Sequence, residues 1–168
     1  MTHCEFCTSQ HQAEFWRGRY FYAIDAGSND FPGFIRIVAV DHVAEMSALS
    51  PAVRTYLWDL LETTEETMRD SLAPDKMNLA EFGNMVPHLH WHVIARWKDD
   101  GWYPECPWGT KQREVNAEII KMRRKSAEAM RNSQQRSQQF LNLNKLIASG
   151  ELGALHGQGP AQLLIFRT

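Results

Sequence analysis

The sequence predicts an α+β domain: an antiparallel sheet with a long amphipathic helix and a second, C-terminal helix. Three observations lead there. Two pairs of β-rich segments flank one helical stretch, that stretch repeats apolar residues at helical spacing, and a run of helix formers follows the second pair. At 168 residues, 43% hydrophobic and 23% charged, the chain has the balance of one soluble domain with a substantial core.

Taken in order, Arg19–Ile24 and Phe34–Val40 are rich in aromatic and β-branched residues and read as two strands. The turn formers between them, Asp25-Ala-Gly-Ser-Asn-Asp-Phe-Pro-Gly33, make the pair a hairpin with a longish loop. Ser50-Pro51 is a helix start, serine as N-cap and proline at the first helical position. Val53, Leu57, Leu60, Leu61, Thr64 and Met68 then recur at helical spacing, and Pro74 lies just past the end, so the helix spans Pro51–Ser71. Met77–Phe82 and Val86–Ala95 read as a second pair of strands joined at Gly83-Asn84. After the turn-rich stretch from Lys98 to Gly109, Glu114–Gln138 reads as helix on composition. Beyond Asn142 only a short apolar end, Leu163–Phe166, stands out, and there is no internal repeat.

A formal net charge of −2 argues against nucleic acid as a partner, since general phosphate-backbone binding needs a cationic surface. It leaves a small nucleotide open, because that needs only a few local donors. No apolar run is long enough for a membrane span. The opening MTHCEFCTSQHQ lacks a charged-then-apolar signal segment, so the default expectation is a cytoplasmic protein. Three cysteines, Cys4, Cys7 and Cys106, speak against a disulfide scaffold and leave thiols for metal or packing.

The most informative stretch is Val86-Pro-His88-Leu-His90-Trp-His92-Val-Ile94. On a strand, the two-residue period puts all three rings on one face, roughly 6.5–7 Å apart. Leu89, Trp91 and Val93 then face the other way, where the long helix could cover them. Three adjacent imidazoles repel when protonated, so at least one should be neutral near pH 7. A neutral ring with one nitrogen held as a donor presents a nucleophilic lone pair on the other. Simple hydrogen-bonded polar residues would explain one histidine far better than three in strict alternation. Two active readings stay open on spacing alone: a metal site, and phosphorus chemistry in which the middle ring attacks.

His88-Leu-His90-Trp-His92-Val-Ile94 resembles the histidine-triad (HIT) motif, His-φ-His-φ-His-φ-φ with φ apolar, at every position. Gly83-Asn84 and Pro87 before it, and Arg96-Trp97, Asp99, Asp100, Pro104 and Pro107-Trp-Gly109 after it, look like the bacterial diadenosine-tetraphosphate-hydrolase-like branch. The resemblance covers roughly residues 4–130 and implies a HIT-like domain over 1–130, with 131–168 an unassigned extension.

The resemblance implies that His90 attacks a nucleotide's α-phosphate, giving a nucleotidyl-histidine intermediate released by water or another acceptor. Substrates would be dinucleoside polyphosphates or nucleoside phosphoramidates. The His88 carbonyl would fix the His90 tautomer, and His92 would contact a phosphate oxygen. Asp25 would accept hydrogen bonds from ribose hydroxyls, although a hairpin-turn role fits it equally. Asn78 and Asn84 would lie near the nucleotide and phosphates. Apolar residues from Phe21 to Ile24 and from Phe34 to Ile37 would partly line a base pocket, most of them being simply core, and Trp108 would approach from the tail. Cys4, Cys7, His42 and His88 would hold one structural zinc ion, with His3 and His11 as nearby substitutes. No organic cofactor is implied, and a homodimer is.

Met85 departs from the family pattern, standing where other members carry a serine or threonine, and Asn84 beside it is the available polar substitute. Two other classes stay in play: a nucleotide-binding regulatory protein with little turnover, and a metal-dependent hydrolase using the three histidines as ligands.

Overall fold

A computed structural model describes residues 4–8 and 13–134. In chain order these form α1 (Glu5–Thr8), β1 (Glu14–Arg17), β2 (Phe21–Asp25), β3 (Phe34–Ala39), α2 (Pro51–Leu72), β4 (Lys76–Glu81), β5 (His90–Arg96) and α3 (Ala117–Gln134). The five strands make one antiparallel sheet in the order β1-β2-β3-β5-β4. The α+β expectation, with its antiparallel sheet, long helix and C-terminal helix, is met.

Alternation along the strands sorts the sheet into two faces. Phe21, Ala23, Ile35, Ile37, Leu89, Val93 and Ala95 point one way and join Leu57, Leu60, Leu61 and Met68 of α2 in the main core. Tyr22, Ile24 and Val38 point the other way and pack under Phe6 of α1. The helix that covers the first face begins as its sequence requires, with Ser50 Oγ accepting from the Val53 N–H. It ends at Ala73, whose left-handed φ of 46° lets its N–H bond the Arg69 carbonyl before Pro74. Gly33 is a close-approach glycine. A Cβ there would sit 2.9 Å from both Ala95 Cβ and Leu72 Cδ1, so the hairpin loop could not lie down on β5 and α2.

Three elements differ from the sequence expectation. β1 was not anticipated, because only four residues, two of them charged and paired with each other (Glu14 with Arg17), carry its signal. β5 begins at His90 rather than Val86: Pro87 offers no N–H to a ladder, and the chain turns there with the His88 N–H on the Val86 carbonyl. The C-terminal helix begins at Ala117, three residues after Glu114. It passes position 130 and packs on the core through the buried Ala127 and Met130. Its expected end at Gln138, the apolar stretch Leu163–Phe166, His3, His11 and the extension beyond residue 134 lie outside the described residues. Among the described residues no helix is long and apolar enough to cross a membrane.

Ala73 supplies a stability test. An alanine in the left-handed region carries a Cβ–carbonyl clash that glycine lacks, worth about 1 kcal/mol, partly offset by the entropy of an added glycine. Ala73→Gly should therefore raise the melting temperature slightly, by the equivalent of about 0.5 kcal/mol. A clear fall on thermal denaturation would contradict the left-handed cap.

Candidate active site

The site lies on the sheet face opposite α2, where β5 presents His90 and His92. Both are buried, 5% and 3% exposed, with ring centroids 5.0 Å apart. His90 Nδ1–H donates to the His88 carbonyl at 2.6 Å. That bond fixes the tautomer and leaves the lone pair on Nε2, on the same ring that lines a cavity of about 550 Å³. Burial holds the His90 pKa below the ordinary histidine value; the bond to the His88 carbonyl opposes this and the Arg36 cation adds to it. The ring is thus held neutral, as a nucleophile requires.

His92 is drier still. Phe34 and Trp108 approach its ring at 5.4 and 5.3 Å, and Phe82 at 6.3 Å. Neither ring nitrogen has a hydrogen-bond partner. Burial, then His90 and Arg36, push its pKa down to about 4. Glu5, Phe6, Arg36, Phe82, Asn84, Met85, Val86, Cys106 and Trp108 complete the cavity walls.

Trp108 is brought there by the chain after β5. Arg96, 2% exposed, donates from Nε and Nη2 to the Asp100 carboxylate at 2.6 and 3.0 Å. It also donates to the Glu105 carbonyl at 3.0 Å. Asp100 in turn accepts the backbone N–H groups of Trp97, Trp102 and Tyr103. The loop is thereby pinned to the strand end, and its far side sets Trp108 against His92 and Phe82.

His88 precedes the strand and faces a second cluster. Its Nε2–H donates to the Ala39 carbonyl at 2.7 Å, so Nδ1 carries a lone pair. That atom lies 3.4 Å from Cys4 Sγ, 3.6 Å from Cys7 Sγ and 3.2 Å from His42 Nδ1. Cys7 Sγ and His42 Nδ1 are 3.3 Å apart. All four donor atoms fall within 4.8 Å of one another, so the group could hold a metal ion. Such separations suit the edges of a tetrahedron with metal–ligand bonds of about 2.0–2.3 Å, and the Ala39 carbonyl orients His88 as ligating histidines usually require. The residues fit the metal that the sequence suggested. With the His88 ring turned to the cysteines, the three histidines do not converge on one point.

The other anticipated residues divide. Asn84 lies in the His90 cavity. Asn78 lines a neighbouring cavity of about 700 Å³, and its Oδ1 accepts from Arg96 Nη1 at 3.0 Å. Asp25 pairs in register with Ile35, which pairs with Val93, so it belongs to the α2 face and not the histidine face. Its carboxylate accepts the Gly27 N–H at 2.9 Å and pairs with Arg131 of α3 at 2.9 Å. Of the expected base-pocket residues, Tyr22, Ile24 and Phe34 share the histidine face, whereas Phe21, Ala23, Ile35 and Ile37 are core. Sequence reasoning missed Arg36 and Phe6. Arg36 interrupts the apolar run of β3 and pairs in register with His92; the Phe6 ring lies tilted against His90, 4.9 Å between centroids.

A five-stranded antiparallel sheet backed by one long helix, with the alternating histidines on its free face, defines a HIT-like fold. The HIT domain family matches residues 15–99, and the chain belongs to that family. Among solved structures it is similar to a histidine triad protein from Marinobacter aquaeolei VT8, at 27% identity and TM-score 0.57 over 71% of this chain and 88% of that one. A histidine triad protein from Bradyrhizobium japonicum aligns at 21% identity and TM-score 0.57, over 70% and 88% of the two chains. A hypothetical histidine triad nucleotide-binding protein from Sulfolobus tokodaii strain7 aligns at 18% and 0.53, over 79% and 95%. No curated protein matches the sequence.

The dry surroundings of His92 set a pH test. Because its folded pKa, about 4, lies below the ordinary 6.5, the unfolded chain takes up the proton first as pH falls. His92 thus supports the native state fully above pH 6.5 and progressively less toward pH 4. In a histidine-resolved NMR titration its ring resonances should hold steady through pH 6 and move only near pH 4. A midpoint near 6.5 would contradict the aromatic enclosure.

Proposed function

We propose that this protein is a nucleotide hydrolase or nucleotidyl transferase of the diadenosine-tetraphosphate-hydrolase-like branch. On this reading His90 attacks the α-phosphate of a dinucleoside polyphosphate or a nucleoside phosphoramidate. The observation that carries it is the 2.6 Å bond from His90 Nδ1–H to the His88 carbonyl, which commits one nitrogen as donor and the other as nucleophile.

The step balances without a redox partner. The Nε2 lone pair forms a bond to phosphorus while the bond from phosphorus to the leaving oxygen or nitrogen breaks. The leaving group keeps that electron pair and takes a proton. Water then attacks phosphorus, the Nε2–phosphorus bond breaks, and the ring recovers its lone pair as the nucleoside monophosphate and a proton depart. Nδ1–H stays on the His88 carbonyl throughout and carries the positive charge that develops on the ring. His92 and Asn84 share the cavity and would contact phosphate oxygens. Met85, 93% exposed, has no group for leaving-group protonation, which leaves Asn84 as the neighbouring polar side chain.

Zinc belongs to the same proposal as a structural ion. Cys4, Cys7, His42 and His88 would close its coordination shell, clamp α1 beside the nucleophile and leave no open position for a substrate. The assembly expected with this reading is a homodimer, and its partner molecule is the nucleotide.

Release of AMP from diadenosine tetraphosphate and from an adenosine phosphoramidate tests the chemistry. Wild type should turn over at least one of them and His90→Ala should lose at least about a thousandfold. Unchanged activity in His90→Ala, or none in wild type, would overturn the assignment. Metal analysis separates the two sites. The purified protein should carry one zinc per chain, lost in a Cys4→Ser, Cys7→Ser double variant that melts at lower temperature. Assayed below that temperature, the double variant should still release AMP, and complete loss there would make the metal part of the chemistry.

A further inference from the structure

Arg36 is the one charged side chain on β3, and three observations single it out. It pairs in register with His92 across the sheet, which sets its Cα about 5 Å from that of His92 and its side chain on the same face. It lines the cavity that His90 and His92 also line. Its Nε is buried and has no hydrogen-bond partner, as is true of both His92 ring nitrogens beside it. Arg36 as a whole is half-buried, but a buried guanidinium N–H without an acceptor costs stability, and a ligand in the cavity could supply one.

The surroundings narrow the ligand. Phe34 lies under the guanidinium at 5.5 Å from its ring centroid, leaving the planar edge to accept a partner. Partial burial lowers the Arg36 pKa from the ordinary arginine value and Glu5, on the same cavity wall, opposes this; a guanidinium remains a cation under such a shift. Lining the cavity are thus a fixed cation and the His92 ring, whose one N–H has no acceptor among the described residues, beside the His90 Nε2 lone pair; the first two are donors that suit an oxyanion with several equivalent oxygens. A guanidinium matches phosphate in shape as well as charge.

We infer that Arg36 binds the non-bridging oxygens of the phosphoryl group that His90 attacks. The inference rests on the proposed nucleotide chemistry for the identity of that phosphoryl group. It goes beyond it in assigning a phosphate contact to a strand residue outside the histidine series.

The test compares AMP, adenosine and inorganic phosphate binding to the full chain by calorimetry, with thermal denaturation of the unliganded proteins, for wild type, Arg36→Met and Arg36→Lys. Arg36→Met should weaken AMP and phosphate binding at least about tenfold while leaving adenosine within about twofold, with Arg36→Lys between. Unliganded Arg36→Met should melt no lower than wild type, because a buried unpaired donor is replaced by an apolar side chain of similar length. Equal losses for AMP and adenosine would place Arg36 on the base or sugar and overturn the inference. So would a lower melting temperature in both variants with parallel loss of all binding, which marks a purely structural residue. Wild type that binds phosphate through Arg36 but neither AMP nor adenosine would sustain the inference and sink the nucleotide reading. Wild type that binds none of the three would sink the inference.

Discussion

His88 is the residue on which the rest of the site depends, because it makes three commitments at once. Its Nε2–H is held by the Ala39 carbonyl at the end of β3, its own carbonyl holds His90, and its Nδ1 faces Cys4, Cys7 and His42. None of the three is independent. The ring can present Nδ1 to the cysteines only because Ala39 takes the other nitrogen's proton, and the carbonyl can reach His90 only because the chain turns at Pro87 before β5 begins. A fully buried residue with every polar atom spoken for has one orientation, and that rigidity passes to the nucleophile. It also explains why α1 sits where it does: with Cys4 and Cys7 drawn to His88, Phe6 falls on the His90 ring.

Across the cavity a second constraint acts. Arg96 and Asp100 form a buried ion pair, and such a pair is favourable only when its remaining donors and acceptors are used. Here they are: Arg96 also serves Asn78 and the Glu105 carbonyl, and Asp100 collects three backbone N–H groups. Neighbouring hydrogen bonds hold the Asp100 carboxyl below the usual range against the opposing effect of burial. The consequence is positional. A loop with no ladder of its own becomes as fixed as the strand it follows, and Trp108 closes over His92.

What the sequence revealed follows from how local each signal is. α2 was legible to within one residue at its end because the serine cap, the first-turn proline, the apolar period and the proline stop all lie in one stretch. The β2–β3 hairpin and the inward and outward faces of β5 were legible because alternation needs no partner to be seen. The Cys4, Cys7, His42 and His88 group was read by resemblance, and the fold brings the four together. β1 was invisible since its reason to be a strand is the neighbouring β2. The placement of Asp25 could not be read from its position in the hairpin: which face it takes is set by register with Ile35 and Val93, and its partner, Arg131, lies more than a hundred residues away. Arg36 had a signal that went unused, a lone charge in an apolar strand at the same parity as Phe34 and Val38.

The unpartnered polar atoms reinforce that division of the sheet. Tyr56 and Trp91 contribute one each to the α2 side, whereas Arg36 Nε and both His92 nitrogens cluster on the histidine face. A buried group without a partner costs about 1–3 kcal/mol, which a domain of this size could recover by apolar substitution. On the α2 side the loss is scattered; on the histidine face it is concentrated within one cavity, against two adjacent strands. The α2 half of the sheet is held mainly by apolar packing. The other half keeps buried polar atoms that find no partner among the described residues, and a site that is incomplete in this way binds a ligand by finishing its own hydrogen bonding.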